Sequence, residues 1–492
     1  MTETAKKKRG MPSSFTILLA LLAIVAVVTV IVSGTSGGAV TAARLSDFCT
    51  APIKGFADAL PVCLFVMILG GFLGMMTETG ALDNGIAVLV QKLKGNEIML
   101  IPVLMLIFSL GGTTYGMCEE TVPFYALLAA TMMAAGFDPM VGAATVLLGA
   151  GCGCLGSTVN PFAVGAAVDA LTGVDIAVNQ SIIIGLGAVL WLVTTVMSIV
   201  FVMNYAKKVK ADKGSTILSM QELKDAEEAH GKAASEVHKE VKLTGRQKGV
   251  LIAFAFTFVV MIVGFIPLAD LNEGIANFFD AGAVYDADGN AVVQGWSALI
   301  TGLPIGQWYF DEASTWFFLM AVLIGIIGGL SEKQIVNTFI TGAADMMSVV
   351  LVIALARGIS VLMANTGLDV YVLDAAANAL AGLSGVIFAP MSFLVYFGLS
   401  FLIPSTSGMA TVSMPIMGPL AVKLGFSPEV MVMIFSAAIG VVNLFTPTSG
   451  AIMGGLALAK IEWTTWLKFA LKLIVALSVV CAVILTVACV LL

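Results

Sequence analysis

The sequence predicts an all-α polytopic membrane protein made of two inverted repeats, each with a re-entrant hairpin and a broken helix. Three observations predict it. Of 492 residues, 59% are hydrophobic and 11% charged, whereas soluble domains carry about a quarter charged residues. Several apolar runs reach the roughly 20 residues that span a hydrocarbon core. Four landmarks of the first half recur in order in the second half. No basic face large enough for nucleic acid exists, and the net charge of −7 says little until the charges are placed.

Residues 1–33 read as a cytoplasmic N-terminus and first helix, and 34–206 as the first repeat, with a hairpin at 98–135. A cytoplasmic charged linker follows at 207–247, then an extra helix at 248–267 and an extracytoplasmic loop at 268–314. The second repeat occupies 315–492, with its hairpin at 385–424.

The opening MTETAKKKRG and the apolar run 15–33 resemble a signal peptide with a cut near Ala43. The run is long for such a leader and many spans follow it, so an uncleaved first helix is expected. Full crossings are expected at 15–33, 60–76, 140–168, 181–206, 248–267, 315–331, 340–365, 430–458 and 465–492. The pairs 98–135 and 385–424 are interrupted by Gly, Pro and polar residues and read as re-entrant.

Lys and Arg cluster at the N-terminus and in 207–248, which belong in the cytoplasm, while 169–180 and 268–314 carry neither and belong outside. Nine alternating crossings satisfy this, with the N-terminus inside, the C-terminus outside and the two hairpins opening to opposite sides. Arg44 and Lys54 depart from the pattern. The linker, with His230 and His238, reads as solvated, with a pH sensor as the sharper alternative.

GFLGMMTETGALD (71–83) matches GISVLMANTGLD (358–369), and GMCEETVP (116–123) matches GMATVSMP (408–415). AGFDP (135–139) matches LGFSP (424–428), and polar breaks follow in both halves, GSTVNP (156–161) and LFTPTSG (444–450). Each repeat holds an even number of crossings, so the extra helix inverts the second against the first. Inverted repeats with broken helices place a substrate site at their interface.

Backbone that leaves a helix inside a membrane persists only where protein or a water-filled cavity receives its polar groups. The candidate site therefore comprises Glu119, Glu120 and Thr121 at the first tip, Ser405, Thr406 and Ser407 at the second, Ser157, Thr158 and Asn160 at the first break, and Asn443, Thr446, Thr448 and Ser449 at the second. Their hard oxygens suit Na⁺ or a polar solute, with Na⁺ expected at Asn160, Asn443 and the neighbouring Ser, Thr and backbone carbonyls. Intramembrane acids mark a visiting cation, although one Glu capping the next half-helix is an equal alternative. Arg357, the one base deep in a span, is expected to pair with one of those acids, then to bind a substrate carboxylate, then to snorkel. Asp345 and Glu78 lie near helix ends, Asp169 is left open, and the cysteines, Cys152 and Cys154 included, read as small packing residues.

The stretches GGTTYGMCEETVPF, NPF at 160–162, KGNEIMLIP at 94–102 and SGMATVSMPIMGPLA at 407–421 resemble the YfcC-like branch of the four-carbon-dicarboxylate anaerobic carrier family, within the ion transporter superfamily. The resemblance runs from about residue 60 to the C-terminus, outside 207–247 and 268–314. It implies a secondary carrier of a bacterial inner membrane, usually a homodimer in the lipid, working as an elevator with both hairpins in the moving unit. Where the superfamily has Ser-Asn-Thr type tips, this chain has Cys118-Glu119-Glu120-Thr121 and Ser405-Thr406-Ser407. The branch includes carriers of dicarboxylates and of basic amino acids.

The expected function is secondary transport of a small organic solute, coupled to Na⁺ or H⁺ and needing no other cofactor. Two acids beside a dianion repel it, which favours an amino acid, arginine- or ornithine-like and exchanged. A Na⁺-coupled carrier of dicarboxylates or other small carboxylates is the alternative. A membrane-embedded enzyme has no support here, since no HExxH appears and no GxSxG stands at a helix start, and a channel fits two gated hairpins poorly.

Overall fold

A computed structural model describes residues 14–82, 84, 85, 88, 96–236, 242–266, 268–271, 273–286, 291–403 and 405–492. The N-terminal basic cluster and His238 lie outside the described residues. The first half contains α1 (Ser14–Ser33), α2 (Leu45–Asp58), α3 (Leu60–Glu78), α4 (Leu100–Tyr115), α5 (Val122–Ala134) and α6 (Pro139–Leu155). A π-helical turn at Pro161–Gly165 leads into α7 (Ala166–Thr172), and α8 (Gln180–Ala211) ends this half. The linker forms α9 (Met220–Glu236) and is followed by α10 (Gly245–Phe265). The second half contains α11 (Phe310–Gly328), α12 (Glu332–Asp345), α13 (Met347–Thr366), α14 (Leu368–Leu380), α15 (Gly385–Leu402) and α16 (Thr406–Lys423). It ends with α17 (Pro428–Val442), α18 (Gly450–Leu458) and α19 (Trp463–Leu491). Eight helices among the described residues are long and apolar enough to cross a membrane.

Both interrupted pairs and both helix breaks form where Gly, Pro and hydroxyl residues predict them. Four expectations are corrected. The crossing 340–365 is two helices, α12 and α13, whose junction at Met346 carries neither Gly nor Pro to signal it. Helix α2 forms across Pro52 in a stretch that reads as loop. The linker is not a solvated tether, because α9 packs on α5. The segment 268–314, which reads as loop, holds two short helices and a small β-hairpin, Val284–Tyr285 with Ala291–Val293, in a chain whose other described elements are helical.

The landmarks of the two halves become the same local devices. Gly136 and Gly425 both take φ near +80°, at 86° and 80°, a region glycine enters without penalty. Each lies two residues before a capping residue, Asp138 or Ser427, which accepts from Val141 N or Val430 N, and Pro opens the helix that follows. Gly80 and Gly367 likewise turn the chain at the ends of α3 and α13. Asp175 and Lys460, the two non-glycine residues with positive φ among the described residues, follow the short halves α7 and α18. At the tips the match fails: Gly116 ends α4, whereas Gly408 lies in the first turn of α16.

The halves pack reciprocally. Helix α2 lies on α13 and α12 on α3, α1 lies on α13 and α11 on α3, and α7 lies on α16 and α18 on α5. Glycines allow these approaches. A Cβ at Gly55 would strike the backbone of Gly358, and one at Gly342 the carbonyl of Gly70. Where α6 crosses α17, Gly151 receives Leu444 and Gly440 receives Leu155. Each contact thus occurs twice with the halves exchanged. The extra helix α10 is held to α3 and α11 by Phe72, Phe254, Phe258 and Phe317, whose ring centroids lie 4.9–6.1 Å apart. Aromatic edge contacts of this kind are each worth about 0.5–1.5 kcal/mol beyond their burial.

Candidate functional site

The tips of both interrupted pairs and both helix breaks converge on one cavity of about 460 Å³, within the usual range of about 300–1,000 Å³ for small-molecule sites. Of the residues expected from sequence, Glu119, Glu120, Thr121, Asn160, Arg357, Ser405, Thr406, Ser407, Asn443, Thr448 and Ser449 line it. Ser157, Thr158 and Thr446 do not, and stand behind the wall.

The first break accounts for its own polar groups. Thr113 Oγ1 donates to the Gly156 carbonyl at 2.6 Å, and Thr158 donates from both N and Oγ1 to the Thr113 carbonyl, at 2.8 and 3.0 Å. Asn160 caps the segment that follows. Its Oδ1 accepts from Phe162 N at 2.9 Å and Ala163 N at 3.3 Å, and its Nδ2 donates to Ser157 Oγ at 2.9 Å. The same amide packs on Gly116, where a Cβ would come within 2.5 Å of Asn160 Oδ1. Asn160 therefore braces the first tip against the first break, with its oxygen already engaged by two donors.

At that tip Glu120 is 1% exposed and its Oε2 accepts from Cys118 N at 3.0 Å. Glu119 is half-buried, lines the cavity and makes no ion pair among the described residues. The adjacent acids thus differ: both line the cavity, but Glu120 also holds the turn. Cys154 Sγ donates to the Met117 carbonyl at 3.3 Å, and Cys152 pairs with Ser198 at 3.0 Å, so both thiols serve packing. Among the described residues no group of three His, Cys, Asp or Glu is arranged to hold a metal ion.

The second break is closed from α19. Trp466 Nε1 donates to the Leu444 carbonyl at 2.8 Å and Trp463 Nε1 to the Phe445 carbonyl at 2.7 Å. Thr446 and Thr448 join their hydroxyls at 2.7 Å, and Ser449 caps α18 through Ile452 N at 3.5 Å. Ser405 caps α16, accepting from Gly408 N at 3.1 Å. Asn443 ends α17 on the cavity wall, and Ser436 lines the cavity from the same helix, its buried hydroxyl without a hydrogen-bond partner among the described residues.

Arg357 lines the cavity, and the expected pairing with Glu119 or Glu120 is corrected: its Nε donates to Asp58 Oδ2. Asp58 was missed because an acid just ahead of a crossing reads as wet. The repeat offset gave a signal, since Asp58 and Asp345 close the corresponding helices α2 and α12. Asp169 also lines the cavity, on the helical stripe it shares with Phe162 and Ala166. Phe162 stacks on Phe310 at 5.3 Å and meets Tyr309 edge-on at 6.1 Å. Four carboxylates and one guanidinium therefore face the same space.

The family model described as the C4-dicarboxylate anaerobic carrier matches residues 38–490. An uncharacterized protein of Haemophilus influenzae is 28% identical over 445 residues, covering 90% of this chain and 78% of that protein. The Escherichia coli protein YfcC, provisionally named a basic amino acid antiporter, is 27% identical over 440 residues, covering 87% and 77%. Among solved structures, the Alcanivorax borkumensis YdaH transporter aligns with TM-score 0.47 at 16% identity, covering 96% of this chain and 97% of that one. Neisseria gonorrhoeae MtrF, described within a class of antimetabolite efflux pumps, aligns with TM-score 0.43 at 16% identity, covering 98% and 96%.

Proposed function

The chain belongs to the C4-dicarboxylate anaerobic carrier family, carriers rather than enzymes, and from that premise we propose that it moves a basic amino acid. The observation that carries the reading is the sign of the cavity wall. After Asp58 and Arg357 offset each other, Glu119, Glu120 and Asp169 remain. Acids at membrane depth call for a positive visitor, and a wall of one sign concentrates ions of the other. An arginine- or ornithine-like solute meets this wall at its cationic end and Arg357 at its carboxylate end. The aromatic rings of Phe162, Tyr309 and Phe310 add faces on which a guanidinium or ammonium group rests favourably. The provisional name of the Escherichia coli relative points the same way.

Transport is proposed to be coupled to Na⁺ or H⁺, or to run as exchange, by an elevator movement. The unit carrying both tips and both breaks, α4–α7 and α15–α18, slides on α1–α3 and α11–α13. Reciprocal packing of the halves supports two repeats related by a two-fold axis in the membrane plane, the arrangement in which such movement occurs. The proposed setting is a bacterial inner membrane, with the N-terminus cytoplasmic, the C-terminus outside and two copies paired. For Na⁺, Asn443 and the unpartnered hydroxyl of Ser436 are the better ligands, since Asn160 has committed its oxygen. Arg357 favours a second reading, Na⁺-coupled dicarboxylate transport, in which the acids hold the cation.

The test is uptake into proteoliposomes of labelled arginine, ornithine and succinate, with and without Na⁺ and with each solute preloaded. Arginine uptake driven by internal ornithine supports the first reading. Succinate uptake that requires Na⁺, with no movement of arginine, replaces it with the second.

A further inference from the structure

We propose that Arg357 is the residue that binds the carboxylate of the transported solute, and that Asp58 is its stand-in partner, holding the guanidinium between transport events and yielding it on binding. The proposal rests on the reading above in one respect: the solute carries a carboxylate.

Arg357 is the one cationic side chain on the cavity wall among the described residues. Only its Nε is given to Asp58. The two terminal nitrogens have no protein partner among the described residues, and those are the atoms that grip a carboxylate in parallel. Both side chains keep contact with the open space, at 28% exposure for Arg357 and 47% for Asp58, so a solute reaches the pair without unfolding anything.

The frame holding the pair is close-packed. Asp58 lies one helical turn beyond Gly55, and Arg357 directly precedes Gly358, the two glycines through which α2 and α13 touch. A side chain on either glycine would push the two charges apart. The frame is also duplicated while its charge is not. Asp345 closes α12 as Asp58 closes α2, but Gly70 occupies the position on α3 that corresponds to Arg357 on α13, and Asp345 is exposed. A pair serving only to lock the helices would serve both copies of the frame. An ion pair this open to solvent is also weak as a fastener, since water screens the attraction and the long side chain loses freedom in making it. Its single occurrence, at the cavity, assigns it to the solute.

The experiment measures binding to purified protein by thermal shift, using arginine, agmatine (the same cation without the carboxylate) and succinate. It compares wild type with Arg357→Gln, Arg357→Lys, Asp58→Asn and the neutral double variant Asp58→Asn/Arg357→Gln. Wild type is expected to bind arginine about tenfold to a hundredfold more tightly than agmatine, as charged hydrogen bonds of this kind contribute. That gap closes in Arg357→Gln and narrows in Arg357→Lys, which keeps the charge without the fork. Asp58→Asn removes the competitor and tightens arginine and succinate, while agmatine, which offers no carboxylate, does not gain. A gap that persists in Arg357→Gln, or weaker carboxylate binding in Asp58→Asn, overturns the proposal. If only succinate binds, the basic amino acid reading fails and succinate alone judges the pair, lost in Arg357→Gln and gained in Asp58→Asn. If no carboxylate binds wild type or Asp58→Asn, the proposal falls. The double variant, with no unpaired charge to disturb folding, repeats the arginine–agmatine comparison and is expected to show no gap.

Discussion

At the residue scale, two adjacent acids have different work. Glu120 is buried and bonded to Cys118 N, while Glu119 faces the cavity. Glu119→Gln is therefore expected to lower cation binding about tenfold or more while leaving the melting temperature near that of wild type. Glu120→Ala exposes a buried N–H without its acceptor, a loss of about 1–3 kcal/mol, and is expected to lower the melting temperature first. Equal loss of binding with equal stability in both variants would remove the distinction. Asn160→Ala should likewise destabilise, by about 0.5–2 kcal/mol for a lost cap, whether or not Na⁺ is present. Asn443→Ala should instead raise the Na⁺ concentration needed for uptake, and an unchanged Na⁺ dependence would exclude it from the ion site. The sequence made Glu119, Asn160 and Asn443 visible because polar atoms in apolar helices have few reasons to exist. It hid Asp58, whose role depends on a glycine contact with a helix about 300 positions away. It also made no distinction between Glu119 and Glu120, because which acid turns inward depends on the left-handed Gly116 and the short turn that follows.

At the element scale, α9 shows what charge content alone conceals. Its sequence is polar enough to stand free, yet it lies on α5 and reaches the second broken helix. His230 Nε2–H donates to the Leu458 carbonyl at 3.0 Å, and Glu222 accepts from Ser219 N at 2.8 Å and Glu462 N at 2.9 Å. The linker is therefore fastened to both halves of the cavity-bearing unit. Burial, then the nearby Lys460, hold the His230 imidazole below its ordinary value, while the bond to Leu458 opposes them. A lowered pKa means that the docked helix prefers the neutral ring. Docking is then complete above the free value and weakens as pH falls through and below it. Amide exchange in α9 is expected to accelerate between about pH 7.5 and about pH 5.5, on either side of the free imidazole value near 6.5. His230→Gln, which keeps a donor and does not titrate in this range, should lose the acid response. Exchange in α9 that ignores pH in wild type would show that His230 only packs. Such docking is invisible in a sequence because a few isolated contacts, His230 to the Leu458 carbonyl and Glu222 to Glu462 N among them, carry it without a periodic signal.

At the scale of the whole molecule, contacts between loops fall into two groups. Asp138 accepts from Thr216 at 2.6 Å, Glu222 from Glu462 N, and Gln247 Nε2 donates to the Thr79 carbonyl at 3.4 Å. These all join segments that alternating crossings place in the cytoplasm. Thr41 N donates to the Thr366 carbonyl at 2.9 Å and Asn179 N to Glu429 at 2.7 Å, joining segments placed outside. No contact in either group mixes the two sides. The corresponding turns after α7 and α18 are therefore expected to face opposite ways, since the first meets Glu429 and the second the linker. Inversion is what that separation predicts, as do the parity of the crossings expected from the sequence and the position of the extra helix. Thr172 and Glu462, both exposed and flanking those turns, provide the check. In a cysteine-free background, a membrane-impermeant maleimide applied to right-side-out vesicles is expected to label Thr172→Cys and spare Glu462→Cys. Inside-out vesicles should give the reverse. Labelling of both from one face would place the turns on the same side, and the two repeats would then be parallel rather than inverted, removing the symmetry on which the proposed alternating access depends.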